Sequence, residues 1–228
     1  MNGEFVRFGT AHLGVLAATP LLALLLAFVA RRMPHLKKAV RATLALALLV
    51  VDLGWFAVLI FHYKVGLKWA LPLQLSDISI LLAIFVIFTL HQRAFDVVFY
   101  WGLTAVPLAM ITPNIPRAFP DPYTIVFFIL HGLLVVVLLY LVWSGTLRPS
   151  RMSAVLSFVT LNGYMLLVLA ANAMLGTNYM YLMQKPEQSS PLDLFGPWPY
   201  YILASEFVAA ALFGLLSVPF WRKTSVKS

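Results

Sequence analysis

The sequence predicts an all-α fold, a single polytopic membrane-embedded bundle over residues 1–228, and three observations lead there. Of the 228 residues, 62% are hydrophobic and only 11% charged, with a mean hydropathy of +0.91. Soluble domains carry about a quarter charged residues. Seven stretches approach the roughly 20 apolar residues needed to cross the hydrocarbon of a bilayer. Together they consume almost the whole length, leaving no room for a soluble domain or a long linker.

The first predicted span, 10–30, contains His12 and runs into a basic cluster; no A-x-A-type cleavage site follows it, so it reads as a retained helix rather than a signal peptide. The second, 39–62, carries Asp52. The third, 70–91, holds "LPLQLSDISILLAIF", in which Gln74, Ser76, Asp77 and Ser79 fall within six positions. An ionisable side chain at membrane depth costs about 2.5–3.5 kcal/mol on insertion scales, so it calls for a function or a partner. The fourth span, 95–112, is interrupted by Pro107 and ended by "TPNIPRAFPDPY". Proline is tolerated there when neighbouring helices satisfy the freed carbonyl. The fifth, 123–143, carries His131; the sixth, 152–175, Asn162 and Asn172; the seventh, 198–221, Glu206. The chain shows no internal repeat, heptad or low-complexity segment. It has no cysteine, which excludes disulfides and thiolate chemistry.

Lysine and arginine set the expected orientation. Eleven of them (Arg31, Arg32, Lys37, Lys38, Arg41, Arg93, Arg148, Arg151, Arg222, Lys223 and Lys227) follow spans one, three, five and seven, against five (Arg7, Lys64, Lys68, Arg117 and Lys185) on the other side. The N-terminus is therefore expected outside and the C-terminus in the cytoplasm. The net charge of +8 is then anchoring to an anionic inner leaflet, and no nucleic-acid partner is expected.

With that topology, Ser76 and Asp77 fall six and seven residues inside the third span, about 10 Å deep. His131 and Glu206 lie eight residues in, Asp52 ten, and His12, Asn172 and Asn178 nearer the outer mouth. This convergence predicts a polar cavity open to the outer surface or outer leaflet. Asn178, Tyr179, Tyr181 and Lys185 form a mouth suited to a lipid head group, whose phosphate wants a cation and hydrogen-bond donors. "FGPWPYY", with Trp198, Tyr200 and Tyr201, reads as an interfacial aromatic belt. Asp96, at a cytoplasmic helix start, is expected to be solvated.

Three stretches, "FGTAHLGVL", "LPLQLSDISILL" and "NYMYLMQKPEQSSPLDLFGPWPYYI", resemble the YwaF-type bacterial integral membrane proteins. Those are in turn similar to the transmembrane protein 164 family of phospholipid acyltransferases, and the resemblance runs from about Phe8 to Trp221. It implies a multi-pass protein of a bacterial plasma membrane. In the acyltransferase branch a cysteine in the third-helix motif is the nucleophile and a later histidine its base; these positions are Ser76 and His131 here. The family often has histidine where this chain has Gln74.

Three functions are compatible with these residues. The first is an intramembrane acyltransferase or lipid hydrolase, with Ser76 attacking an acyl carbonyl, His131 as general base and then acid, and Asp52 or Glu206 holding the second imidazole nitrogen. Its partners would be membrane lipids and an acyl-donor lipid, with no cofactor. Asp77 is not expected to orient His131, because consecutive helical residues point about 100° apart. The second is a transporter or receptor-like binding bundle with an outer polar cavity. Asp52, Asp77, His131 and Glu206 would also suit proton coupling. The third, a metal-assisted hydrolase, ranks lowest because no H-E-x-x-H or H-x-x-x-H pair is present.

Overall fold

The computed structural model describes residues 5–115, 117–187 and 190–221. Arg222, Lys223 and Lys227, three of the cations used for orientation, lie outside the described residues. The described residues form seven α-helices: α1 (Thr10–Arg32), α2 (Lys37–Ala57), α3 (Leu75–Thr89), α4 (Gln92–Ile111), α5 (Pro122–Trp143), α6 (Ser153–Leu175) and α7 (Tyr200–Ser217). A π-helical turn, Val58–His62, extends α2. Six helices, α2 with its extension among them, are long and apolar enough to cross a membrane; α3 is shorter, at 15 residues. At 1.5 Å per residue α3 covers about 22 Å against a hydrocarbon core of about 30 Å.

The bundle is layered around α5, which packs on α1, α2, α3 and α4. The other inner helix, α4, also meets α6 and α7. Both are apolar on nearly every face: Phe95, Tyr100, Leu130, Leu134, Leu138 and Leu141 are fully buried. Small residues permit the closest approaches. A Cβ on Gly132 would stand 3.2 Å from Thr19 Oγ1, so a side chain there would require the α1–α5 contact to give by a few tenths of an ångström. With little hydrophobic force between helices in lipid, such packing and polar crosslinks carry the association. Trp101 Nε1 donates to Ser157 O (3.1 Å) and Ser157 Oγ to Val97 O (2.8 Å), joining α4 to α6.

Polar pins gather the connections at both ends. At one end, Tyr63 Oη donates to Asp121 Oδ1, Asn114 Nδ2 to Tyr181 Oη (3.0 Å), and Tyr179 Oη to Lys68 O (3.0 Å). The connections after α2, α4 and α6 thus form one cap. At the other end, Asp96 Oδ1 accepts from Ser150 N and from Gln92 Nε2, each at 2.9 Å, and Asp96 is only 3% exposed. The expected solvated carboxylate is instead a buried crosslink, because the α5–α6 connection folds back over the start of α4.

The third helix departs most from expectation. It starts at Leu75, not 70, because Pro72 has no N–H and the chain before it is a 3₁₀ turn, Leu67–Trp69, followed by bends. Leu71 N donates to Tyr179 Oη (2.9 Å), Leu73 O accepts from Tyr164 Oη (3.1 Å), and Gln74 Oε1 accepts from Met180 N (2.9 Å). Non-helical backbone at this depth is tolerable when protein encloses it. Gln74 is therefore the N-cap residue, and Ser76 and Asp77 sit in the first turn rather than six and seven residues inside a helix.

Candidate functional site

The polar run that begins α3 is the best-defined site. Asp77 Oδ2 accepts the Gln74 N–H at 3.2 Å, the reach-back bond of a capping box. A carboxylate in the first turn is also favoured by the helix dipole. Ser76 precedes Asp77 on the same first turn. The first intrahelical bond is Ile78 N to Gln74 O, so the N–H groups of Leu75 and Ser76 have no carbonyl within the helix to bind. Ser79 belongs to the helix alone: its hydroxyl donates to Leu75 O at 2.6 Å. Around Asp77, in electrostatic contact with it, stand Asp52 of α2, Tyr123 of α5, Tyr164 of α6 and Tyr179 of the cap. Asp52 is 5% exposed and has no hydrogen-bond partner among the described residues.

His131 is buried on α5, and its only side-chain hydrogen bond among the described residues is to Phe127 O, at 2.8 Å. A carbonyl only accepts, so Nδ1 carries the proton and Nε2 the lone pair. The ring stacks on Phe127 with centroids 4.0 Å apart. Neither Asp52 nor Glu206 holds the imidazole, as the sequence suggested; the carbonyl one turn earlier takes that place. Glu206 is engaged elsewhere, accepting from Asn162 Nδ2 at 2.8 Å between α7 and α6. No hydrogen bond among the described residues joins Ser76 to His131.

The remaining candidates serve the fold. His12 is fully committed: Nδ1 accepts from Phe8 N (2.9 Å) and Nε2 donates to Met110 O (2.7 Å), pinning the start of α1 to the end of α4. Asn172, 1% exposed, accepts on Oδ1 from Tyr179 N (2.8 Å) and Thr177 Oγ1 (2.9 Å) and donates to Tyr179 O (3.0 Å). Asn178 closes the next turn through Gln184 O, Met183 N and Gln184 N. Lys185 meets Asp193 at 3.7 Å and lies over the Tyr201 ring. The expected head-group mouth is thus largely an internally bonded loop. A cavity of about 220 Å³ at this end is lined by Phe5, Val6, Thr10, His12 and Phe119; a larger one, about 570 Å³, lies at the opposite end by Gln92, Thr146, Arg148 and Phe220. Neither includes Ser76 or His131.

Sequence reasoning missed the Tyr63–Asp121–Arg117 group of the cap. Asp121 is the N-cap of α5: Oδ1 accepts from Tyr123 N (3.0 Å) and Tyr63 Oη (2.5 Å), while Arg117 donates to Oδ2 at 3.4 Å. The signal was present, since Asp before Pro122 is a helix-start pair. Burial pushes the Asp121 carboxyl up, but these hydrogen bonds outweigh it and hold it below the ordinary carboxylate range; burial and the bond to Asp121 push the Tyr63 phenol up. A depressed carboxyl stabilises the fold above its unfolded value of about 3.9, and that stabilisation is lost as pH falls through the folded value. Thermal unfolding of detergent-solubilised protein from pH 6 to 3 should therefore fall more steeply for the natural chain than for Asp121→Asn; identical slopes would show that the cap carboxylate contributes nothing.

Against known proteins, the model of the TMEM164 family matches residues 7–217. No curated protein and no solved structure matches the chain.

Proposed function

From the premise that this chain belongs to the TMEM164 family, and is an integral membrane protein whose family fits a lipid-related role, we propose that it moves acyl groups on phospholipids, by transfer or hydrolysis, through Ser76. The observation that carries the reading is the placement of Ser76 in the first turn of α3. There it lies beside Asp77, and the N–H groups of Leu75 and Ser76, which have no carbonyl within the helix to bind, could meet an ester oxygen as it gains charge. The sequence pairs Ser76 with His131, and the Nδ1–H bond to Phe127 leaves Nε2 as the nitrogen able to take a proton.

In this reading α3 is the seventh span, the N-terminus is outside, and the protein lies in a bacterial plasma membrane with its α3 start toward the outer leaflet. The basic residues support the orientation. One observation favours the alternative of a binding or transport bundle: Asp52 and Asp77 interact across α2 and α3, where they could hold a cationic or protonated ligand.

The test is direct. Purified protein incubated with phospholipid should carry an acyl mass on the peptide containing Ser76, and should release lysolipid. Turnover with no adduct on Ser76, even after rapid acid quench, would remove the covalent route; stoichiometric lipid binding without turnover would favour the binding bundle.

A further inference from the structure

The cavity of about 570 Å³ at the end opposite the cap takes no part in the chemistry proposed for Ser76. We infer that it binds the phosphate of an anionic membrane lipid, with the Arg148 guanidinium as the charged contact and the Thr146 hydroxyl as a second donor. Its position suits a head group. The walls come from the α5–α6 connection, the start of α4 and the turn after α7, where the helices end and the hydrocarbon of a bilayer ends with them. Trp143, the last residue of α5, and Trp221, 62% exposed just beyond Phe220, mark the same level as an interfacial one.

The charges at this end select an anion. Eight of the eleven Lys and Arg counted there lie in the described residues, against one carboxylate among those residues, Asp96. That carboxylate is buried and taken up by Ser150 N and Gln92 Nε2. Arg148 is held at the cavity wall: its guanidinium lies over the Phe220 ring, 5.6 Å from the centroid, and donates to Pro219 O at 3.4 Å. Its carbonyl accepts from Gln92 Nε2 at 2.9 Å. A planar guanidinium can meet two phosphate oxygens at once. Gln92 fixes the wall rather than reaching the ligand, since its two amide protons go to Asp96 and to Arg148 O. Thr146 Oγ1 pairs with Ser144 Oγ at 2.7 Å; when Ser144 gives the proton of that bond, Thr146 keeps its own for the phosphate. Val142, Leu147 and Phe220 supply apolar wall for the carbons beside the phosphate. A free phosphate ion would use the donors and leave that wall uncovered, so the lipid is the favoured source.

The test is binding to the purified full chain in detergent, read by native mass spectrometry, of dioleoylphosphatidylglycerol, of dioleoylglycerol, which lacks the phosphate, and of inorganic phosphate. The phospholipid should bind the natural protein at least about tenfold more tightly than the diacylglycerol, as charge-assisted hydrogen bonds require. Arg148→Gln should reduce that preference to within about twofold and leave diacylglycerol binding as it was. Arg93→Gln removes a cation next to Gln92 but outside the cavity lining, and should weaken phospholipid binding by less than about twofold. Thr146→Val keeps the shape of the wall and should weaken phospholipid binding about threefold; it decides the matter if Arg148→Gln does not fold. Equal losses in Arg93→Gln and Arg148→Gln would mean a diffuse field of cations. Equal losses of phospholipid and diacylglycerol in Arg148→Gln would mean a residue that only builds the wall, and inorganic phosphate bound in place of the lipid would assign the cavity to the free ion. Each of these overturns the inference, as does a preference left unchanged by Arg148→Gln or, where that variant does not fold, by Thr146→Val.

Discussion

Ser76→Ala is expected to lower acyl turnover at least about a thousandfold while moving stability by no more than about 1 kcal/mol. The first half follows from covalent chemistry: without the hydroxyl no acyl-enzyme forms, and the free N–H groups of the α3 turn act on a carbonyl that nothing attacks. The second half follows from what the hydroxyl does in the fold. Removing it takes no bond from the capping box, since Asp77 keeps the Gln74 N–H. By contrast Ser79→Ala, one turn on, removes a bond made only to the helix's own Leu75 carbonyl and should leave turnover unchanged. Measuring both variants on one phospholipid substrate, with unfolding followed in the same detergent, isolates position 76. Full turnover in Ser76→Ala would end the acyl-serine reading.

Much of the architecture was legible because membrane crossing imposes a coarse, local signal. An apolar run of about 20 residues has few folds open to it, and six of the seven expected spans meet that requirement in the structure. The start of α3 was less legible. Hydropathy counted Leu71 and Leu73 as part of a span, yet their backbone groups bond to Tyr179 and Tyr164, about a hundred residues away in sequence. The signal for the true start was nevertheless local: Gln74 and Asp77 have the spacing of a cap and its N3 acid, following Pro72. The depth count for Ser76 and Asp77 therefore began five residues before the helix itself begins.

The site was legible as residue types and not as partnerships. Glu206 and Asn162 lie on different helices and nothing in the sequence pairs them, yet they bond to one another. His131 finds its Nδ1 partner one turn away on its own helix, where a backbone carbonyl is always available and no sequence pattern announces it. Asn172, Asn178 and Tyr179 look like a polar mouth in sequence. In the structure each satisfies loop backbone that would otherwise be left unpaired.

Asn172→Leu should be the most destabilising single change in the cap. The amide makes three hydrogen bonds at a site 1% exposed, to Tyr179 N, Tyr179 O and the Thr177 hydroxyl. Leucine nearly matches it in size but leaves all three groups buried and unpaired, each at about 1–3 kcal/mol, so a loss of about 3–5 kcal/mol is expected. The effect should spread beyond the loop, because Tyr179 carries the bonds to Lys68 O and Leu71 N, and Met180 N holds Gln74. Hydrogen exchange should therefore quicken at Leu71 and Gln74 as well as at Tyr179. Asn172→Asp provides the graded control: it keeps the acceptor for Tyr179 N and Thr177, loses the donor to Tyr179 O, and should fall between the two. If Asn172→Leu speeds exchange only at residues 176–187, the cap does not hold the start of α3, and the positioning of Ser76 and Asp77 must come from α3's own packing on α2, α4 and α5.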